Sequence, residues 1–190
     1  MLKFLLILGV ISFVQGCTPL IEHDQNKYCR SMYAFTATVL SSEERNVEAV
    51  FKIRVNENIK MVLGYPREIV TVYGRGTLHS CGPTKLDKNK EYFLYVSVND
   101  TTTNKPIINQ FHEASFAYIT RVNSYVCSCT VVVNLPLQPI PESLRPARDI
   151  CIITPDEFDW SFERGYCARR GDRSGSGPCK WIAPKTAACP

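Results

Sequence analysis

Residues 91–98 read Glu91-Tyr92-Phe93-Leu94-Tyr95-Val96-Ser97-Val98, the most strongly β-forming run of the chain, rich in aromatic and β-branched side chains and free of glycine and proline. Its neighbours are built alike. Residues 33–40 (YAFTATVL) alternate as a strand does, and a polar turn over 41–46 separates them from 49–55 (AVFKIRV), where apolar and charged residues give one buried and one wet face. Residues 59–63 continue as a short strand that Gly64-Tyr65-Pro66 breaks. Residues 68–73 (EIVTVY) form the next strand, ended by a Gly74-Arg75-Gly76 turn. After the central run come a polar loop over 99–105, a last strand over 106–111, and a short helix over 113–123 with Phe116, Ile119 and Val122 on one stripe. About five strands with little helix between them predict a mainly β fold. A five-stranded closed barrel of the OB type with one or two packed helices suits them, because closure removes exposed sheet edges. A sandwich is the structural alternative.

The start of the chain bears on compartment and chemistry. Residues 1–16 read as a secretory signal peptide: Lys3 supplies the charge, residues 4–14 the apolar run, and Val14 and Gly16 the small residues of a cleavage site. Cleavage after Gly16 leaves Cys17 first, with α-amine, carbonyl and thiol on one residue. An α-amine with a pKa of about 7.7–8.0 is partly neutral at physiological pH. With its own carbonyl oxygen it forms a five-membered chelate on a metal with an open position, which catalytic zinc has.

The 190 residues carry 22 basic and 18 acidic side chains, a net charge of +4 that is too mild to point to nucleic acid. After the leader no apolar run approaches the ~20 residues of a membrane span. Nine cysteines, all after the leader, indicate an oxidising compartment and a disulfide framework with one thiol left over. The expected product is a secreted, extracellular, soluble monomer, with Asn99-Asp100-Thr101 as a glycosylation sequon on a surface loop. Polar residues 19–30, holding Cys29, read as an extended arm. Residues 131–146 contain four prolines and read as a linker. The remainder, with Cys151, Cys167, Cys179 and Cys189, has too little core of its own and depends on disulfides. The expected division is a leader (1–16), a barrel domain (17–127) and a small disulfide-rich subdomain (128–190).

The ordered set of features resembles the tissue inhibitors of metalloproteinases, a family containing the netrin-like domain, over nearly all of the chain after the leader. The resemblance rests on Cys17-Thr18, Cys29 twelve residues on, Cys81-Gly82 in a loop, and Cys127-Ser128-Cys129 at the junction of two subdomains. Further on it rests on Thr154-Pro155-Asp156-Glu157 followed by Trp160, on Tyr166-Cys167, and on Gly177-Pro178-Cys179-Lys180-Trp181. It implies disulfides Cys17–Cys81, Cys29–Cys127 and Cys129–Cys179. We pair Cys151 with Cys167, which leaves Cys189 as the odd thiol. The chain departs from the family in having Pro19 where a second cysteine stands, no cysteine between Cys81 and Cys127 to partner it, and Phe158 at a further cysteine position.

The resemblance also implies a function. The chain is expected to inhibit secreted or cell-surface zinc metalloproteinases and to be no enzyme itself. A wedge of Cys17, Thr18, Pro19 and Leu20 with His79, Ser80, Cys81 and Gly82 enters the target's cleft. The Cys17 amine and carbonyl chelate the target's zinc, and Thr18 fills the specificity pocket. No cofactor of its own is expected: His23, His79 and His112 lack metal-ligand spacing, and the adjacent Asp156 and Glu157 read as a solvated turn. The alternative function is a non-inhibitory netrin-like module that binds matrix or cell surface, with Arg170-Gly171-Asp172 as an integrin-type tripeptide.

Overall fold

The computed structural model describes residues 17, 21–98, 104–134, 148–153, 164–169 and 177–182. Among the described residues the fold is mainly β, with two short helices and four disulfides. Strands β1 (Tyr33–Glu44), β2 (Glu48–Lys60), β3 (Ile69–Arg75), β4 (Glu91–Val98) and β5 (Pro106–Glu113) pair in the order β1-β2-β3-β5-β4 and return on themselves as a closed barrel. The pairs are antiparallel except β3 with β5, which run parallel and meet at Tyr73↔Ile107.

Strand β4, the most strongly β-forming run of the chain, is covered on both faces. Tyr92, Leu94 and Val96 point into the barrel with Phe35, Val39, Phe51, Ile53, Val55 and Val72. Phe93 and Tyr95 point out into a second core with Ala34, Val122 and Tyr125, beneath helices α1 (Asp24–Arg30) and α2 (Phe116–Val122). Burial on both faces explains why β4 reads as an apolar run rather than an alternation. Each large side chain so buried contributes about 1.5–3 kcal/mol.

Several boundaries differ from the sequence reading, each for a local reason. Strand β1 runs through Ser41–Glu44 as exposed polar strand paired with residues 49–52, so the turn shrinks to 45–47. Register shifts along β1–β2 let this long ribbon curl. Residues 59 and 60 belong to β2, not to a separate strand. Gly74 and Arg75 lie in β3 and not in a turn: a Cβ at Gly74 would come within 2.6 Å of the Thr84 Cβ, so glycine here permits close packing.

The arm over 19–30 is not extended throughout, since α1 occupies Asp24–Arg30. His23 caps it, its Nδ1 accepting from the Gln25 N–H at 3.2 Å. At the other end Lys60 Nζ donates to the carbonyls of Tyr28, Cys29 and Ser31 at 2.9, 2.9 and 2.6 Å, satisfying groups that a helix end leaves open.

Past the barrel, β6 (Thr130–Val133) occupies the start of the expected linker and pairs in parallel with β7 (Ile150–Ile153), while β8 (Tyr166–Arg169) pairs antiparallel with β9 (Cys179–Ile182). Their small core holds Val131, Ile153 and the disulfides Cys129–Cys179 and Cys151–Cys167. Helix α1 ties this region to the barrel through two amides. Gln25 Nε2 donates to the carbonyls of Val126, Cys129 and Cys167 at 3.0, 3.4 and 2.8 Å, and Gln25 Oε1 accepts from the Cys167 N–H at 2.8 Å. Asn26 bonds the Val131 backbone in both directions, at 2.7 and 3.0 Å.

Candidate functional site

The structure brings Cys17 to Cys81 in a disulfide with Cα atoms 4.8 Å apart. Cys17 and Gly82 are half-buried, while His79, Ser80 and Cys81 are exposed in the loop after β3. The loop is built by its own backbone. His79 N–H donates to the Gly76 carbonyl at 3.2 Å, and Gly82 N–H donates to the His79 carbonyl at 2.8 Å. His79 Nδ1 accepts from the Cys81 N–H at 3.1 Å, so this ring holds the turn. Gly82 takes φ +74°, the left-handed region that suits glycine.

The tip of the β1–β2 hairpin braces this loop. The N–H groups of Gly76, Thr77 and Leu78 donate to the carbonyls of Val47, Arg45 and Asn46 at 3.2, 3.0 and 3.0 Å. A Cβ on Gly76 would lie 2.4–2.5 Å from the backbone of residues 45–47, so only glycine allows this approach. The two joined segments leave the apolar side chains of Val47 85% and Leu78 76% exposed. The sequence reading passed over both. Their signal was an isolated apolar residue inside a polar turn, which turn chemistry does not require.

Thr18, Pro19 and Leu20 of the expected wedge lie outside the described residues, as do Asn99, Arg170, Gly171, Asp172 and Cys189. The remaining disulfides join Cys29 to Cys127, Cys129 to Cys179 and Cys151 to Cys167, with Cα separations of 5.2, 5.8 and 5.9 Å. The Sγ atoms of Cys129, Cys167 and Cys179 lie within 4.8 Å of one another, but all three belong to disulfides and offer no thiolate to a metal.

A separate polar constellation centres on Asp24 in the first turn of α1. Its Oδ2 accepts from the hydroxyls of Tyr95, Tyr118 and Tyr125 at 2.9, 2.7 and 3.0 Å, and its Oδ1 lies 3.0 Å from His112 Nε2. Arg121 approaches at 3.6 Å. Burial by itself raises the pKa of this carboxyl. The hydrogen bond and charge of His112 and the phenol hydrogen bonds outweigh burial and hold it well below the usual carboxylate range. Burial first, then the Asp24 charge, pushes all three phenols up. The cluster fastens α1, α2, β4 and β5 together. No sequence spacing announces it, because its members come from four elements and, in Tyr125, the loop after α2.

Residues 26–117 match a family model described as the UNC-6/NTR/C345C module. The match runs from α1 into α2 and includes all five barrel strands. This netrin-like module and multiple disulfides are both typical of extracellular proteins. No curated protein matches the chain.

Proposed function

We propose that this protein is a secreted inhibitor of zinc metalloendopeptidases, related to the tissue inhibitors of metalloproteinases, with an OB-type barrel that presents Cys17 as its reactive end. The observation that carries the reading is the Cys17–Cys81 bridge on a loop braced by the β1–β2 tip. A free chain end is mobile. Tethered to a braced loop, it loses less entropy on binding. After removal of residues 1–16, the Cys17 α-amine and carbonyl oxygen chelate the target's zinc in place of its catalytic water, and Thr18 enters the adjoining pocket. Val47 and Leu78, exposed on the joined segments, supply apolar contact to the target. The zinc belongs to the target, and the chain itself needs no cofactor and catalyses nothing.

The test compares native, α-acetylated and Ala-extended protein against a panel of zinc endopeptidases, with circular dichroism as the fold control. Acetylation delocalises the nitrogen lone pair, and an added alanine also crowds the metal. Both should abolish inhibition with the fold intact. Equal inhibition by all three forms rejects chelation. A native protein that inhibits nothing leaves the netrin-like binding module as the function.

A further inference from the structure

A groove of about 940 Å³ opens between α1, β5, α2 and the segment leading into β8, lined among others by Lys27, His112, Tyr118, Arg121, Arg164 and Tyr166. It shares no residue with the Cys17 wedge. The volume is that of a small-ligand site, and such sites pair apolar walls with a few convergent polar groups.

The charges in the groove do not cancel among themselves. Two acids line it, and both are already engaged. Glu22 pairs with Arg30, and Asp24 is engaged by three phenols, His112 and, at 3.6 Å, Arg121. The cations are less occupied. Among the described residues Lys27 Nζ reaches only Gln110 Oε1, at the long distance of 3.5 Å. The Arg121 side chain is 15% exposed, held by Asp24 and stacked on Tyr118 at 4.9 Å from the ring centroid, so it adds positive potential to the wall and not a free donor. Arg164 stands exposed at the rim. Among the described residues Lys27 and Arg164 have no ion-pair partner, and two such cations beside engaged acids select an anion. A guanidinium favours the planar or tetrahedral oxygens of an oxyanion. Ala117, Tyr118 and Tyr166 form a wall that suits a ring or short apolar body behind the head group.

We propose that this groove binds a small organic oxyanion, its carboxylate, sulfate or phosphate head held by Lys27 and Arg164 and its body lying against the tyrosine wall.

Isothermal titration of the full chain after leader removal, with phenyl phosphate and with inorganic phosphate, tests this. Phenyl phosphate should bind saturably at one site, about tenfold tighter than inorganic phosphate, which is 1.4 kcal/mol. The double variant Lys27→Gln/Arg164→Gln lies outside the phenol cluster and should keep its dichroism spectrum while losing about tenfold in affinity. No saturable heat up to about 10 mM ligand, equal affinity for the two phosphates, or native-like binding by the double variant each overturns the assignment.

Discussion

Asp24 concentrates more polar contacts than any chain pattern foretells: three phenols, an imidazole and a guanidinium around one carboxyl group. Its depressed pKa links folding to pH with a definite sign. The folded carboxyl titrates below the unfolded value of about 3.9, so its stabilisation is fully present above that value and is lost as pH falls towards the folded pKa. Asp24→Asn should therefore cost roughly 2–4 kcal/mol at neutral pH, by leaving phenol donors poorly paired. It should also flatten the decline in stability below about pH 4. Urea midpoints measured across pH for both proteins check this, and an acid limb as steep in the variant as in the native protein contradicts it.

At the level of elements, α1 was the least visible in the sequence and is among the most connected in the structure. Its fully buried residue is Gln25, a polar side chain, so the helix shows no apolar period. The barrel strands were visible because their apolar positions answer to a buried interior. The helix α2 was visible because Ile119 and Val122 share a packed stripe, although Phe116, expected on the same stripe, is exposed. Strands β6 to β9 have four residues each and are held by disulfides and by α1, so neither length nor alternation marked them. The exposed bracing pair Val47 and Leu78 escaped for the opposite reason, since exposure leaves no pattern to read. The connections of α1 predict a specific loss. Gln25→Ala strands the Cys167 N–H and three carbonyls in a dry seam, and should cost roughly 2–5 kcal/mol. Chemical denaturation should show this as a lower midpoint, and a change within about 0.5 kcal/mol means that the seam is wet.

For the molecule as a whole, the barrel and the β6–β9 region share Gln25, Asn26 and the bridges that flank residue 128. With the disulfides intact, calorimetry should record one cooperative transition, its van't Hoff and calorimetric enthalpies equal. Two resolved transitions would show that the regions melt independently. The joint has a practical corollary for dissecting the protein. The seam is not amide and backbone alone: the His23 ring meets Trp181 edge-on at 5.1 Å, and Tyr166 packs on the core around Tyr95 and Tyr125. A fragment ending near residue 127 retains Cys17–Cys81 and Cys29–Cys127 but uncovers those aromatic faces beside the Gln25 amide. The barrel made on its own therefore carries a new apolar patch, and its solubility hinges on covering or replacing that patch.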